Sequence, residues 1–250
     1  VRGPQGQQGW LFGTIHALPD PVDWRSPAVD AALTRSDRLV MEIGNADRPD
    51  ELARIFESLM HSPGHPPLDQ RVPADRRDAL VRVLRQQGAI DKDYSGIETW
   101  AAALSIARTA SAQAQGDFGL EAELMRAAAG KPVVELEGAR AQLGIFDGLA
   151  EADQRDLLNA VVAEIETGPQ RGLEQAWARG DMVAMEREAR TGLLADPELR
   201  ASLLTARNRA WADAVATLLG RGARPLVAVG AAHMAGPDGL PALLAARGFT

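Results

Sequence analysis

Two runs near opposite ends of the chain share one form. Trp10-Leu11-Phe12-Gly13-Thr14-Ile15-His16 and Leu226-Val227-Ala228-Val229-Gly230-Ala231-Ala232-His233 each carry apolar residues to a Gly, and a His follows three positions on. Short apolar runs bounded by turn formers read as buried strands. A Gly at the end of such a strand lets the backbone turn, or lets another group approach it closely. Each His then falls just past a strand's carboxyl end, where open α/β sheets place their sites. With 24 Gly and 4 His in the chain, chance supplies about 0.4 Gly-x-x-His matches. Two occur, both at the ends of strand-like runs.

Two further runs reach carboxylates. Arg38-Leu39-Val40-Met41-Glu42-Ile43-Gly44 follows a helix that Ser26 caps, Pro27 opens and Arg35 ends. Strand, helix, strand in sequence predicts a right-handed βαβ unit, with Glu42 level with His16 on the neighbouring strand. A Glu inside an apolar run is costly to bury unpaired, so it has either a site role or a buried Arg partner. Pro132-Val133-Val134-Glu135-Leu136-Glu137-Gly138 is the fourth run. Alternation puts Glu135 and Glu137 on one side, and Val134 and Leu136 on the other. Glu137, last before Gly138, is the better site candidate, and Gln142 follows one turn later.

The remainder reads as helices and turns. Pro49 opens a helix with Leu52, Ile55, Phe56 and Leu59 at helical spacing. His61 and His65 lie four apart, but Pro63 and Gly64 between them forbid a helix that would pair them on a metal. That loop is expected to be solvated or to act as a lid. A helix from Pro73 to Gln87 stops at Gly88, and another runs from about Ile97 to Thr109. Gln115-Gly116-Asp117-Phe118-Gly119 is a turn opening a helix whose first turn holds Glu121 and Glu123. Favourable charge at a helix N-terminus is the simple account of both. A mainly helical segment spans about 139–220. Within it, Leu157, Leu158, Val161, Val162 and Ile165 form a stripe, and Pro197 opens a long helix to about Leu219. Arg207, Asn208 and Arg209 cluster at mid-helix, and at least one must face the packed side. Arg207 meets a site carboxylate or a substrate oxyanion there, or stays at the surface with its stem buried.

Composition narrows the functions. A chain of 250 residues with 46% hydrophobic content holds a sizeable core. The formal net charge of −7 and the scattered Arg argue against nucleic-acid binding. The absence of Cys excludes thiol catalysis, Cys-ligated zinc and disulfides, and leaves the compartment open. No apolar run approaches the length of a membrane span. The chain starts at Val1, close to a strand, and stops just after a helix, so a leader and a tail are expected beyond these ends.

These elements predict a single α/β domain over 1–250: a mostly parallel central sheet flanked by helices, with a large helical insertion. If the four strands share a sheet, His16, Glu42, Glu137 and His233 converge at one edge. That N/O set suits Zn, Mn, Co or Fe(II). A bound ion would acidify water and polarise a carbonyl, one Glu serving as ligand and the other as general base, with Arg207 on the developing oxyanion. Without metal, a His or Glu would activate water directly. No Gly-x-Ser-x-Gly, His-Glu-x-x-His, Walker-type or dinucleotide-binding motif competes.

In combination these stretches resemble the TraB/GumN family, related to the Tiki proteins. The matching residues are Leu11 to Pro19, Leu39 to Glu42, Gly119-Leu120-Glu121, Lys131 to Glu137 with Gln142, Arg207-Asn208, and Val229 to His233 with Gly236 to Leu240. The resemblance implies a fold similar to erythromycin esterases and ChaN-like proteins. It also implies a metal-dependent peptidase acting on peptide or protein substrates with Mn or Co, Zn being the alternative. His16, Glu42 and His233 become the catalytic, metal-binding core, with Glu137 and Arg207 in support. Glu121 stands where the family more often has Asp. An exported, periplasmic location is implied by bacterial members, while a cytoplasmic one stays open. The rival readings are a metal-independent esterase and a protein that binds a ligand such as haem or a peptide without turnover.

Overall fold

The computed structural model describes residues 1–15, 24–115, 120–168, 171–188 and 190–250. The chain starts with β1 (Trp10–Thr14), α1 (Pro27–Arg35) and β2 (Arg38–Met41). Helices α2 (Pro49–Glu57), α3 (Arg77–Gln86), α4 (Thr99–Gln115) and α5 (Leu120–Ala127) separate β2 from β3 (Val133–Glu135). After β3 come α6 (Ala139–Asp147), α7 (Glu151–Thr167), α8 (Arg171–Arg179), α9 (Met182–Glu188), α10 (Pro197–Arg200) and α11 (Ala206–Gly220). The chain then forms β4 (Pro225–Gly230) and closes with α12 (Leu240–Ala245).

The four strands make one wholly parallel sheet in the order β1-β4-β2-β3. The fold class is therefore α/β with helices around a parallel sheet, as the strand pattern implied. The neighbour relation differs, because Glu42 does not lie on the strand beside β1. Strand β4 sits between β1 and β2, pairing Thr14 with Gly230 on one side and Arg38 with Pro225 on the other. The cause is polarity: Pro225 to Val229 are all buried, and an apolar strand buried on both faces belongs at the centre of a parallel sheet. Strand β3, with Val133 and Glu135 exposed, takes an edge.

Helical material enters in two blocks. The first lies between β2 and β3 and the second between β3 and β4, so residues 139–220 are only part of it. The blocks share a core in which Leu80, Val83 and Leu84 of α3 and Trp100 and Ile106 of α4 meet the α7 stripe of Leu157, Leu158, Val161 and Val162. The Trp100 ring is fully buried and edge-on to Phe56, and its indole nitrogen donates to Asp147 at 3.2 Å. A second core packs Trp211, Val215 and Leu219 of α11 onto Val40, Val227 and Val229 of the sheet. On another side, Ala32 and Leu33 of α1 and Leu124 of α5 cover Leu39, Met41, Leu226 and Ala228. Alternate residues of one strand thus face different cores, as sheet pleating requires.

Local signals act as expected. Ser26 caps α1 by accepting from the backbone N–H of Val29 at 3.2 Å. Gly88 holds φ 72° beyond α3, the left-handed turn that glycine tolerates. The expected long helix from Pro197 forms, but it widens into one π-helical turn at Ala201–Thr205, immediately before Arg207. Such turns recur at functional sites. No helix among the described residues is long and apolar enough to cross a membrane.

Candidate functional site

The carboxyl ends of β2, β3 and β4 converge on one guanidinium. Glu42 follows the last residue of β2 and is buried. The ladder runs on past β3 through Leu136 N–H to Met41 O, 2.8 Å, and Glu137 N–H to Glu42 O, 3.2 Å. This register brings Glu137 beside Glu42. Arg207, in the first turn of α11, reaches both. Its Nη2 donates to Glu42 Oε2 at 2.7 Å and to Glu137 Oε1, and its Nε lies 3.1 Å from each Glu137 oxygen. Its Nη1 donates to the carbonyl of Leu203, in the π turn, at 2.9 Å. The guanidinium also rests over the Trp211 ring, with Cζ 4.5 Å from the centroid. Of the two sequence readings of Arg207, the inward one holds, with side-chain exposure of only 11%. Its partners are carboxylates.

Both Glu42 oxygens have fixed partners. Its Oε1 accepts from the Gly230 N–H at 2.7 Å, and its Oε2 also accepts from Gln142 Nε2 at 2.9 Å. Gln142 lies in the first turn of α6, so the helix after β3 reaches back to the end of β2. Burial pushes the Glu137 carboxyl above its usual range. Arg207 pulls it down without overcoming the burial, and Glu42 adds to the rise. Two carboxylates face one guanidinium, so the cluster is negative overall whenever both are ionised. That repulsion acts with burial in raising the Glu137 carboxyl.

His233 sits in a short 3₁₀ turn after β4, Ala231–Met234, and is buried. Asn208, on α11, fixes the ring. The Asn208 Nδ2 donates to the carbonyl of Asp238 at 2.7 Å, which turns its Oδ1 towards His233 Nδ1 at 2.6 Å. Nδ1 therefore carries the hydrogen in the neutral ring, and Nε2 the lone pair. That lone pair lies 3.4 Å from Arg207 Nη1 and 4.0 Å from Glu42 Oε1. The Trp211 ring packs against the imidazole at 4.5 Å between centroids.

A cavity of about 180 Å³ opens on the Glu42 side, bounded in part by Thr14, Met41, Glu42, Glu121 and Gln142. Of the five residues predicted for the site, the structure joins Glu42, Glu137, Arg207 and His233. His16 lies outside the described residues, as does the turn 116–119. Glu121 borders the cavity. Glu123 instead accepts from the Trp24 indole at 2.7 Å, a link between α5 and the segment before α1. Glu135 turns to the Gly44 N–H at 2.7 Å, so strand alternation does not carry through to Glu137. His65 lies 3.4 Å from Glu98, and His61 is exposed. Sequence reasoning underrated Asn208. Its signal was there, since it stands four residues after buried Leu204 and three before buried Trp211 on the same helix.

Metal ligation has a partial basis. Among the described residues no three His, Asp or Glu side chains form a metal-holding group. His233 Nε2 and Glu42 Oε1 lie 4.0 Å apart, and one tetrahedral ion bonded to both at about 2.0–2.2 Å needs them about half an ångström closer.

A parallel α/β sheet with a carboxylate–arginine–histidine cluster at its strand ends is the class that fold and site define. The chain matches the TraB/PrgY/gumN family over residues 1–250 and belongs to it. It is also similar to an uncharacterized protein, YbaP, of Shigella flexneri. The two are 26% identical over 251 residues, spanning 96% of this chain and 89% of the relative. No solved structure gives a significant match.

Proposed function

We propose that the protein is a hydrolase of amide bonds, with its centre at Glu42 and a divalent ion held by His16, Glu42 and His233. The observation that carries this reading is the double position of Glu42. It backs onto Arg207, Gln142 and the Gly230 N–H, and it also lines the cavity. A buried carboxylate with fixed partners and an open face is where a reacting group is expected. Asn208 directs the His233 lone pair towards the same carboxylate, as second-shell partners do for ligating histidines. The negative surplus of the cluster favours a cation. Mn or Co fits the N/O donors, with Zn the alternative.

When bound, a divalent ion supplies Lewis acidity towards a carbonyl and makes water a stronger acid. Glu42 and His233 orient the reacting groups at the cavity wall. Glu137 binds a proton more readily than an ordinary carboxyl, which suits it to collect the proton lost by water and return it to the leaving amine. Arg207 holds both carboxylates in place throughout.

One observation favours a metal-free variant. Arg207 already faces Glu42 Oε2 and the His233 lone pair, so the guanidinium supplies the positive charge of the site. Glu42 then activates water by itself.

The test is a melting series with EDTA, Mn, Co and Zn on the wild type and His233→Ala, followed by a peptide library. An ion that binds only the folded state raises the melting temperature with its concentration. The expected result is a rise with one metal in the wild type, none in the variant, and peptide cleavage lost in Glu42→Gln. Full cleavage after metal removal selects the metal-free variant. No product from any peptide with any metal overturns the hydrolase reading.

A further inference from the structure

The cavity beside Glu42 has a size and a polarity that specify an occupant. Its volume is about 180 Å³. Pockets for whole small molecules run to about 300–1,000 Å³, whereas a cavity of about 150 Å³ takes a benzene ring. The space therefore fits one side chain. Its walls are mostly apolar: Met41 at the end of β2, Leu52 on α2, Ala122 on α5 and Val229 on β4.

The polar side chains of Thr14, Glu42, Glu121 and Gln142 complete the lining. Thr14 is 2% exposed, and its Oγ1 meets no hydrogen-bond partner among the described residues. A buried hydroxyl left unpaired is destabilising, so a group that completes its bonding gains from being there. The sheet fixes where that hydroxyl sits. Thr14 is in register with Gly230, and the Gly230 N–H binds Glu42 Oε1. Thr14 and Glu42 thus flank the same residue of the central strand, one from each side.

We infer that this cavity is a specificity subsite for a single medium-sized apolar side chain, of leucine to phenylalanine size, with Thr14 Oγ1 bonding a polar group of the ligand beside it. The inference rests on the hydrolase reading for the identity of the ligand as an amide substrate. Glycine leaves the apolar walls uncovered. Tryptophan exceeds the volume. A charged side chain would lose hydration against Met41, Leu52 and Val229, and an anionic one would also meet Glu42 and Glu121.

The experiment is an NMR titration of the full chain with N-acetylglycinamide, N-acetyl-leucinamide, N-acetylphenylalaninamide and N-acetyltryptophanamide. Binding needs no turnover, so it is read separately from hydrolysis. The leucyl and phenylalanyl amides are expected to bind roughly tenfold or more tighter than the glycyl amide. Ala122→Phe fills the space and should erase that preference. Leu52→Ala enlarges it and should bring the tryptophanyl amide up to the leucyl level. Thr14→Val should weaken all the amides together. Equal binding of glycyl and leucyl amides by the wild type overturns the subsite, as does a preference that survives Ala122→Phe. A size preference, with no peptide of the library cleaved under any metal, leaves the subsite standing and overturns the hydrolase reading. Cleavage without size preference does the reverse.

Discussion

Asn208 holds His233 by a contact of 2.6 Å between Oδ1 and Nδ1, deep under α11 where Asn208 is wholly buried. The Asn208 amide cannot turn over without breaking its bond to the Asp238 carbonyl. The His233 ring is thereby fixed in both tautomer and angle.

Asn208→Leu keeps the volume and removes both bonds. It leaves the Asp238 carbonyl and the His233 Nδ1 unpaired, which costs about 1–3 kcal/mol each. The proposed hydrolysis should fall by about 10–100-fold, as when a histidine at a metal loses the group that orients it. Kinetics on protein shown by circular dichroism to be folded checks this. Unchanged turnover would mean that the orientation of His233 is immaterial.

Arg207 pairs with two carboxyl groups that are each about nine-tenths buried. Removing one partner of a buried charge group is far costlier than replacing the whole group. Arg207→Met should lower unfolding stability by about 3–5 kcal/mol, measured by urea denaturation. Adding Glu42→Gln and Glu137→Gln to the same chain should recover much of that loss. A triple variant as unstable as the single one would place the cost in lost packing on Trp211.

Burial raises the Glu137 carboxyl above its unfolded-state value. The folded state therefore holds that proton to higher pH than the unfolded chain does. Its contribution is fully present below the unfolded value of about 4.3 and is lost as pH rises through the higher folded value. The melting temperature of the wild type relative to Glu137→Gln should fall as pH is raised through that interval. Scanning calorimetry of both proteins from acid to neutral pH tests this, and a difference that grew with pH would reverse the sign.

Gly13 and Gly220 predict opposite outcomes for one substitution. A Cβ on Gly13 would lie 3.1 Å from the Ala231 Cα, a backbone atom in the turn that carries His233. Gly13→Ala should cost about 1–3 kcal/mol by overpacking. Gly220 ends α11 and has nothing within 4 Å of an added Cβ. Gly220→Ala should be neutral or add up to about 1 kcal/mol. Thermal melts of the two variants suffice.

The strands were legible because each is a short apolar run stopped by turn residues, and the site followed because its residues stand at the ends of those runs. Glu42, Glu137 and His233 are all of this kind. The strand order was not legible. Adjacency in sequence suggested adjacency in space, whereas burial on both faces moved β4 to the middle. The partner of each side chain was also hidden. Glu121 and Glu123 look alike in sequence, yet Glu121 borders the cavity and Glu123 fastens Trp24, because a helix turns them by about 200° between the two positions. Gln142 and Asn208 are neutral side chains whose importance comes entirely from reach, and reach depends on how α6 and α11 settle on the sheet.

Placing β4 between β1 and β2 also governs the order in which the molecule can assemble. Among the described residues, strand β1 has its only ladder partner, β4, on the far side of almost the whole chain. During synthesis it must remain unpaired while both helical blocks emerge, and only the arrival of Pro225–Gly230 joins the two halves of the sheet. Closing such distant contacts is slow and leaves a strand edge open to other chains. The same late strand supplies the Gly230 N–H to Glu42 and leads into His233. An incompletely made chain thus lacks both the join between the two sheet halves and the turn that sets His233 beside Glu42.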